Sequence, residues 1–413
     1  MAQNLRREIM RMPGKSKPKL AINGGSPIRD KFLVFGSPLI GEEEIREVED
    51  TLRSGWLGTG PRTQRFEKDF RKYIGAKYAL GLNSCTAGLF LALDALGVGP
   101  GDEVITTPLT FAATANVIVH TGATPVFADV DKRTGNISPA QIKKKITKNT
   151  KAVIPVHLCG RPCDMDPIMD LAHKHGLYVV EDAAHAIEAR YKDKKIGAIG
   201  HISAFSFYAT KNLVTGEGGM VCTNNPKWDN IMRVRSLHGL SKSAWSRYSE
   251  KGFKFYDTEC PGYKYNMTDM QAALGIHQLR RIEDNLVIRN AHWARYDKAF
   301  KDNEFLIRPC VQKNIRHARH LYTPLLDADK LGVPRDEFLA ALQKENIGAG
   351  IHFIALHLHS YYKKRFGYRR GDFPNAEYIS DRTFSIPFSA RLSAADVDDV
   401  IGAVNKVTRG LAR

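Results

Sequence analysis

Lys211 stands in the run SAFSFYATKNLVTGEGGM, after Phe205 and Phe207 and before Gly216, Gly218 and Gly219. That pattern reads as an amine at a strand end, held by backbone that turns tightly. Upstream, the apolar run YVVEDAAHA ends its strand in Glu181-Asp182, and earlier still NSCTAG gathers small residues where a helix begins. A lysine amine, a buried carboxylate and a cluster of backbone N–H donors are the groups that hold pyridoxal phosphate. The coenzyme takes the amine for a Schiff base, the anion against its ring nitrogen and the donors for its phosphate. A lone lysine after a strand is ordinarily a surface residue; the three elements in chain order favour the coenzyme.

Other residues near these three have types that fit. Backbone N–H groups at a helix start are unpaired and the helix dipole favours an anion, so Thr86 and Ala87 can hold the phosphate. An ionised Asp182 keeps the pyridine nitrogen protonated, which lets the ring absorb electrons. His185 can contact the ring, with a packed structural histidine as the rival reading. Ser206 can donate its hydroxyl to the phosphate, unless backbone satisfies it. Phe111, where TTPLTF passes from strand to helix, can stack on the ring, although aromatics at such positions are more often core.

Elements of the right kind surround these positions. Residues 78–82, 103–107, 124–130, 152–156, 177–181 and 202–207 read as strands, with helix-length segments at 86–96, 111–122 and 165–176 between them. Alternation of this kind predicts an α/β fold with a mainly parallel sheet covered on both faces, and ligands at the carboxyl ends of its strands. WLGTGPRTQRFEKDF begins as a loop and becomes a helix, which makes Thr59 to Pro61 a candidate loop into a site. From 270 to 300 the spacing predicts one long helical stretch leading out of the large domain. The expected organisation is a flexible basic tail at 1–30, a large coenzyme-binding domain at 31–284 and a smaller α+β domain at 285–413.

The 413 residues are 43% hydrophobic and 25% charged, ordinary for a globular enzyme. The first nineteen carry six basic groups against one glutamate and no apolar segment, so no signal peptide and a cytoplasmic location are expected. Six scattered cysteines form no disulfide framework. His157, Cys159 and Cys163 match no standard zinc spacing, so no metal is expected. The net charge of +17 is dispersed, as in Lys143 to Lys145, Lys192 to Lys195 and Lys363 to Arg365. It fits solvated faces and an anionic, nucleotide-linked substrate better than nucleic acid or a membrane.

On these motifs the chain resembles the nucleotide-sugar aminotransferases of the DegT/StrS group. GWLGTGP, DEVITTPLTFAATAN, GATPVFADVD, EDAAHA, SFYATKN, GEGGM, PGYKYNMTDMQAAL and GIHF occur in that group's order, across about residues 32–410. Within it, GYKYNMTD and GIHFIALHLHSYYKKRF are most similar to enzymes that aminate UDP-4-keto-pentose to UDP-4-amino-4-deoxy-L-arabinose. Phe111 departs from the Trp expected there, as does the long basic N-terminus.

The resemblance implies the aspartate-aminotransferase fold (fold type I) and pyridoxal 5'-phosphate as cofactor. It makes Lys211 the Schiff-base lysine, with Asp182 at the ring nitrogen and Ser206 at the phosphate. It implies a homodimer with shared active sites, an asparagine from the neighbouring subunit reaching the phosphate. In PGYKYNM this is Asn266, with Lys264 as its rival. L-Glutamate is the implied amino donor and 2-oxoglutarate its product, in ping-pong order. The acceptor is a UDP-4-keto-pentose or a 4-keto-hexose, for polysaccharide synthesis. A 3-keto sugar or cyclitol is the alternative, and a non-catalytic coenzyme-binding regulator another. His352 and Tyr322 of the small domain are candidates for substrate choice.

Overall fold

Short apolar runs rich in β-branched residues, parted by helices, become a seven-stranded sheet in the computed structural model, which describes residues 17–240, 257–310 and 312–412. The strands are β1 (Tyr78–Leu82), β2 (Glu103–Thr106), β3 (Thr124–Phe127), β4 (Thr150–Ile154), β5 (Tyr178–Asp182), β6 (Ile202–Ser206) and β7 (Gly219–Thr223). Their order is β1-β7-β6-β5-β4-β2-β3. Strands β2 to β6 pair in parallel, whereas β7 runs antiparallel to both β6 and β1. The sheet is therefore mixed but mainly parallel.

Alternate residues of the central strands feed different cores. Val179 and Phe205 pack with Phe66, Phe70 and Ile276, whereas Val180 and Ala204 pack with Leu82, Leu89 and Val104. A strand buried on both faces must be apolar at both parities, and β5 to β7 are. Helix α1 (Cys85–Ala95) follows β1, and α2 (Ala112–His120) follows β2. Both begin on the edge where the parallel strands end.

The single long helix expected from 270 to 300 is instead two. Helix α3 (Asp269–Arg280) starts at Thr268, whose hydroxyl and Gln271 form a capping box. Arg281, at φ −102°, separates it from α4 (Ile282–Ala299). Apolar periodicity continued across the join because both helices pack inward. Trp293, Tyr296 and Phe300 then enter a second core with Tyr322, Phe338 of α5 (Arg335–Lys344), Phe384, and Val400 and Val404 of α6 (Ala394–Leu411). Beside these helices the C-terminal part holds the short antiparallel pair Leu306–Ile307 with Leu325–Leu326, and its Ile315–Arg316 pairs with Arg190–Tyr191.

The tail expected at 1–30 needs correction. Residues 1–16 lie outside the described residues, but 17–30 are anchored to the second core. Leu20 is 1% exposed in the second core. The N–H groups of Ala21 and Ile28 donate to the buried Glu345 carboxylate, at 2.9 and 3.0 Å, and Lys406 Nζ donates to Glu345 Oε2 at 2.8 Å. Leu33 also bridges to Ile347. The high basic content of this segment concealed its apolar anchors. No helix among the described residues is long and apolar enough to cross a membrane.

Candidate active site

Asp182 closes β5 opposite Ala204 of the parallel strand β6, and Lys211 follows β6 in a turn closed by its N–H to Tyr208 O, 2.9 Å. These strand ends and the starts of α1 and α2 surround a cavity of about 510 Å³. Thr86, Phe111, Asp182, His185, Ser206 and Lys211 all line it. His320, His352 and Phe353 form the wall supplied by the C-terminal part.

One residue expected at the phosphate lies outside the cavity. Ala87 is buried, and its N–H donates to the capping Ser84 Oγ at 3.1 Å. That hydrogen bond takes up the donor assigned to phosphate, leaving the N–H groups of Cys85 and Thr86 at the helix start. Asn266, expected at a neighbouring subunit's phosphate, does not line the cavity of its own chain. Its Nδ2 donates to Thr59 Oγ1 at 2.7 Å, and Lys264 bridges to Leu237. Tyr322 is also misplaced by the sequence reading. It is fully buried in the second core, donating to Asp297 Oδ1 at 2.8 Å, because its ring was needed for packing.

Charge in the cavity is arranged without direct pairing. Burial pulls the Lys211 ammonium down to about 8, opposed by Cys85 and Asp182 nearby. Burial pushes the Asp182 carboxyl up, against hydrogen bonds from Thr114 Oγ1 (2.8 Å) and Ala184 N–H (3.2 Å). No ion pair joins Lys211 to Asp182 among the described residues. Each is a desolvated group short of counter-charge, facing space large enough for a ligand. An amine that loses its proton readily and a carboxylate in want of a cationic N–H suit pyridoxal phosphate. Ser206 Oγ accepts from Tyr208 N–H at 3.4 Å, which leaves its own proton to donate to a phosphate.

The histidines are fixed in their tautomers. Both amide hydrogens of Asn212 are engaged, by Glu188 Oε2 and Ala318 O at 2.9 Å each. Asn212 Oδ1 is thus an acceptor, and His320 Nδ1, 3.1 Å away, carries the proton. Nε2 of His320 is left as an acceptor. His185 is the reverse: its Nδ1 accepts from Cys159 N–H at 3.2 Å, so Nε2 carries the proton. Burial, aided by the neighbouring Lys211 charge, holds both imidazoles well below their ordinary range, and the same causes bring His352 down to about 4. All three are neutral near pH 7.

Glu181 has a different task from its neighbour. It is fully buried and accepts from His157 Nε2 and from the N–H groups of Gly197, Ile199 and Gly200. His157 Nδ1 in turn accepts from Cys163 N–H, 3.0 Å, so this pair braces loops. The described residues contain no cluster of three metal-ligating side chains. Thr114 and His320 were not anticipated from sequence. The threonines at 110 and 114, one helical turn apart and 2.9 Å between hydroxyls, are the only local signal for the first.

Residues 38–405 match the DegT/DnrJ/EryC1/StrS aminotransferase family. The chain is 55% identical over 383 residues to the spore coat polysaccharide biosynthesis protein SpsC of Bacillus subtilis, covering 92% of this chain and 98% of that protein. Its fold superposes on Spr1654 of Streptococcus pneumoniae, described as a sugar aminotransferase and solved with pyridoxal phosphate, at a TM-score of 0.86 and 33% identity, over 92% of this chain and 100% of that one. It superposes also on DesI, solved in the presence of its TDP-sugar product, at a TM-score of 0.84 and 27% identity, over 95% and 96% of the two chains.

Proposed function

We propose, for a chain that belongs to the DegT/DnrJ/EryC1/StrS aminotransferase family, that the amine it transfers goes to a nucleotide-linked keto sugar. It is a pyridoxal-phosphate-dependent aminotransferase of fold type I. The acceptor we assign is a 4-keto pentose or hexose on a nucleoside diphosphate, with L-glutamate as donor and ping-pong order. The likeness to a protein solved with a TDP-sugar and to one named for polysaccharide synthesis supports a nucleotide-linked sugar as acceptor.

When bound, the coenzyme supplies an aldehyde for an amine and a ring that takes up the electron pair released at the substrate carbon. The chain's residues do the rest. Thr86 N–H and the Ser206 hydroxyl bind phosphate oxygens, assisted by Asn266 of a second copy. Asp182 holds a proton at the ring nitrogen, and Thr114 and Ala184 hold Asp182. Lys211, with its proton affinity reduced by burial, accepts a proton at one carbon and returns it at the next. His185 and Phe111 wall the space for a planar ring, and His320 Nε2 offers an acceptor to a hydroxyl or ammonium group.

The half-buried, unpaired Lys211 amine facing Asp182 carries this reading. The test is steady-state transfer from L-glutamate to a panel of 3- and 4-keto sugar nucleotides. Parallel double-reciprocal lines and a preference for a 4-keto acceptor are expected. Lys211→Ala should abolish turnover while the chain stays folded; more than a trace of transfer in that variant would remove the assignment.

A further inference from the structure

A second cavity, of about 300 Å³, shares the His352 wall with the catalytic one. It lies between residues 132–135 and 158–161 of the large domain and Trp293, residues 307–310 and Tyr378 of the small one. Its lining carries Lys132, Arg133, Arg161 and Arg308 and no aspartate or glutamate. Lys132, Arg133 and Arg308 are exposed around it, with Lys132 Nζ held 3.8 Å from the Tyr378 ring centre.

Arg161 is different: it is 5% exposed. Its Nη1 donates to a neutral acceptor, Gln312 Oε1, at 3.2 Å, and it makes no ion pair among the described residues. Asp131, the carboxylate that acts on it, accepts instead from the N–H groups of Arg133 and Thr134. His317 adds a donor: its Nδ1 accepts from Arg319 N–H at 2.9 Å, which puts the proton on Nε2. A buried guanidinium without a counter-ion costs several kcal/mol, so its site calls for an anion.

We propose that this cavity is a second anion site, separate from the catalytic one, which takes phosphate, as the group of a nucleotide or as the free anion. Four cations ask for more than the single charge of a carboxylate. A phosphate monoester brings about −1.5 to −2 charges on three acceptor oxygens. The cavity exceeds one phosphate and lies at the lower end of the ~300–1,000 Å³ range of small-molecule pockets, leaving room for an attached sugar. No step of the proposed transamination uses it.

The experiment is calorimetric titration of the enzyme loaded with pyridoxal phosphate, with loading checked by its visible absorbance. The probes are inorganic pyrophosphate, UMP and citrate. With pyrophosphate or UMP a saturable event is expected, besides UMP held at the acceptor's own subsite, that is at least tenfold weaker in Arg161→Gln and in Arg308→Gln and unchanged in the exposed control Lys363→Gln. Tighter UMP binding would identify a nucleotide as the source of the phosphate, and tighter pyrophosphate binding the free anion. The exposed Arg308 keeps the test valid should the buried substitution unfold the chain. Absence of saturable binding, affinities untouched in both arginine variants, equal binding of citrate, or displacement of the probe by L-glutamate would each overturn the proposal.

Discussion

The amine of Lys211 is tuned by where it sits. In the coenzyme-free chain its folded-state pKa is about 8, against 10.5 when unfolded. Between these values the unfolded chain holds more protons, so stability rises with pH across that window. Below about 8 both states are protonated, and the full penalty, roughly 3 kcal/mol, is present. The free base is the nucleophile, so uptake of pyridoxal phosphate by the coenzyme-free protein should accelerate as pH rises and level off above about 8. Stopped-flow absorbance from pH 6 to 10 measures it, and a midpoint near 10 would show that burial does not act on this amine. Lysine, aspartate and serine were legible in the sequence because the chemistry demands those types at strand ends. Thr114 and His320 were not, since what makes them matter is a contact with Asp182 in one case and with Asn212 in the other, made only by the fold.

Strands β1 to β6 could be read from their apolar runs, within a residue or two at each end except for β3, whose run continues three residues past Phe127. Strand β7 could not, because it begins with Gly219 amid the glycines of GEGGM, which read as a turn. Gly219 explains why the sheet needs that residue: a Cβ there would fall 2.4 Å from Ser84 C and 2.5 Å from Cys85 N, in the backbone that starts α1. The absent side chain lets the antiparallel strand press against the helix start proposed for phosphate. Gly219→Ala should therefore weaken pyridoxal phosphate binding by tenfold or more, as read by equilibrium dialysis. Gly216, at φ +80° with nothing within 4 Å of its Cβ position, is the contrast. Gly216→Ala should cost only about 1–2 kcal/mol of backbone strain and leave coenzyme affinity near wild type.

At the scale of the molecule, the second core is held by an ion pair that joins three distant segments. Glu345 is fully buried and accepts from Lys406, Ala21 and Ile28. Removing it with Glu345→Ala would strand the Lys406 ammonium and two N–H groups, and should cost about 3–5 kcal/mol in urea unfolding; a change under 1 kcal/mol would mean that the segment at 17–30 contributes little. None of this could be read from a run of basic residues, because the anchor is a single leucine and two backbone donors. The same packing governs the order in which the protein can be made. Strand β1 waits on the ribosome for β7, to which it pairs from Tyr78↔Thr223 to Leu82↔Gly219. Leu20 waits longer, since α6, with Val404 and Val407 in its core, ends at Leu411. Leu20 thus finds its partner in a helix that leaves the ribosome long after it, and the nascent chain carries Leu20, Trp293 and Phe338 uncovered until α6 emerges, as an open invitation to chaperones.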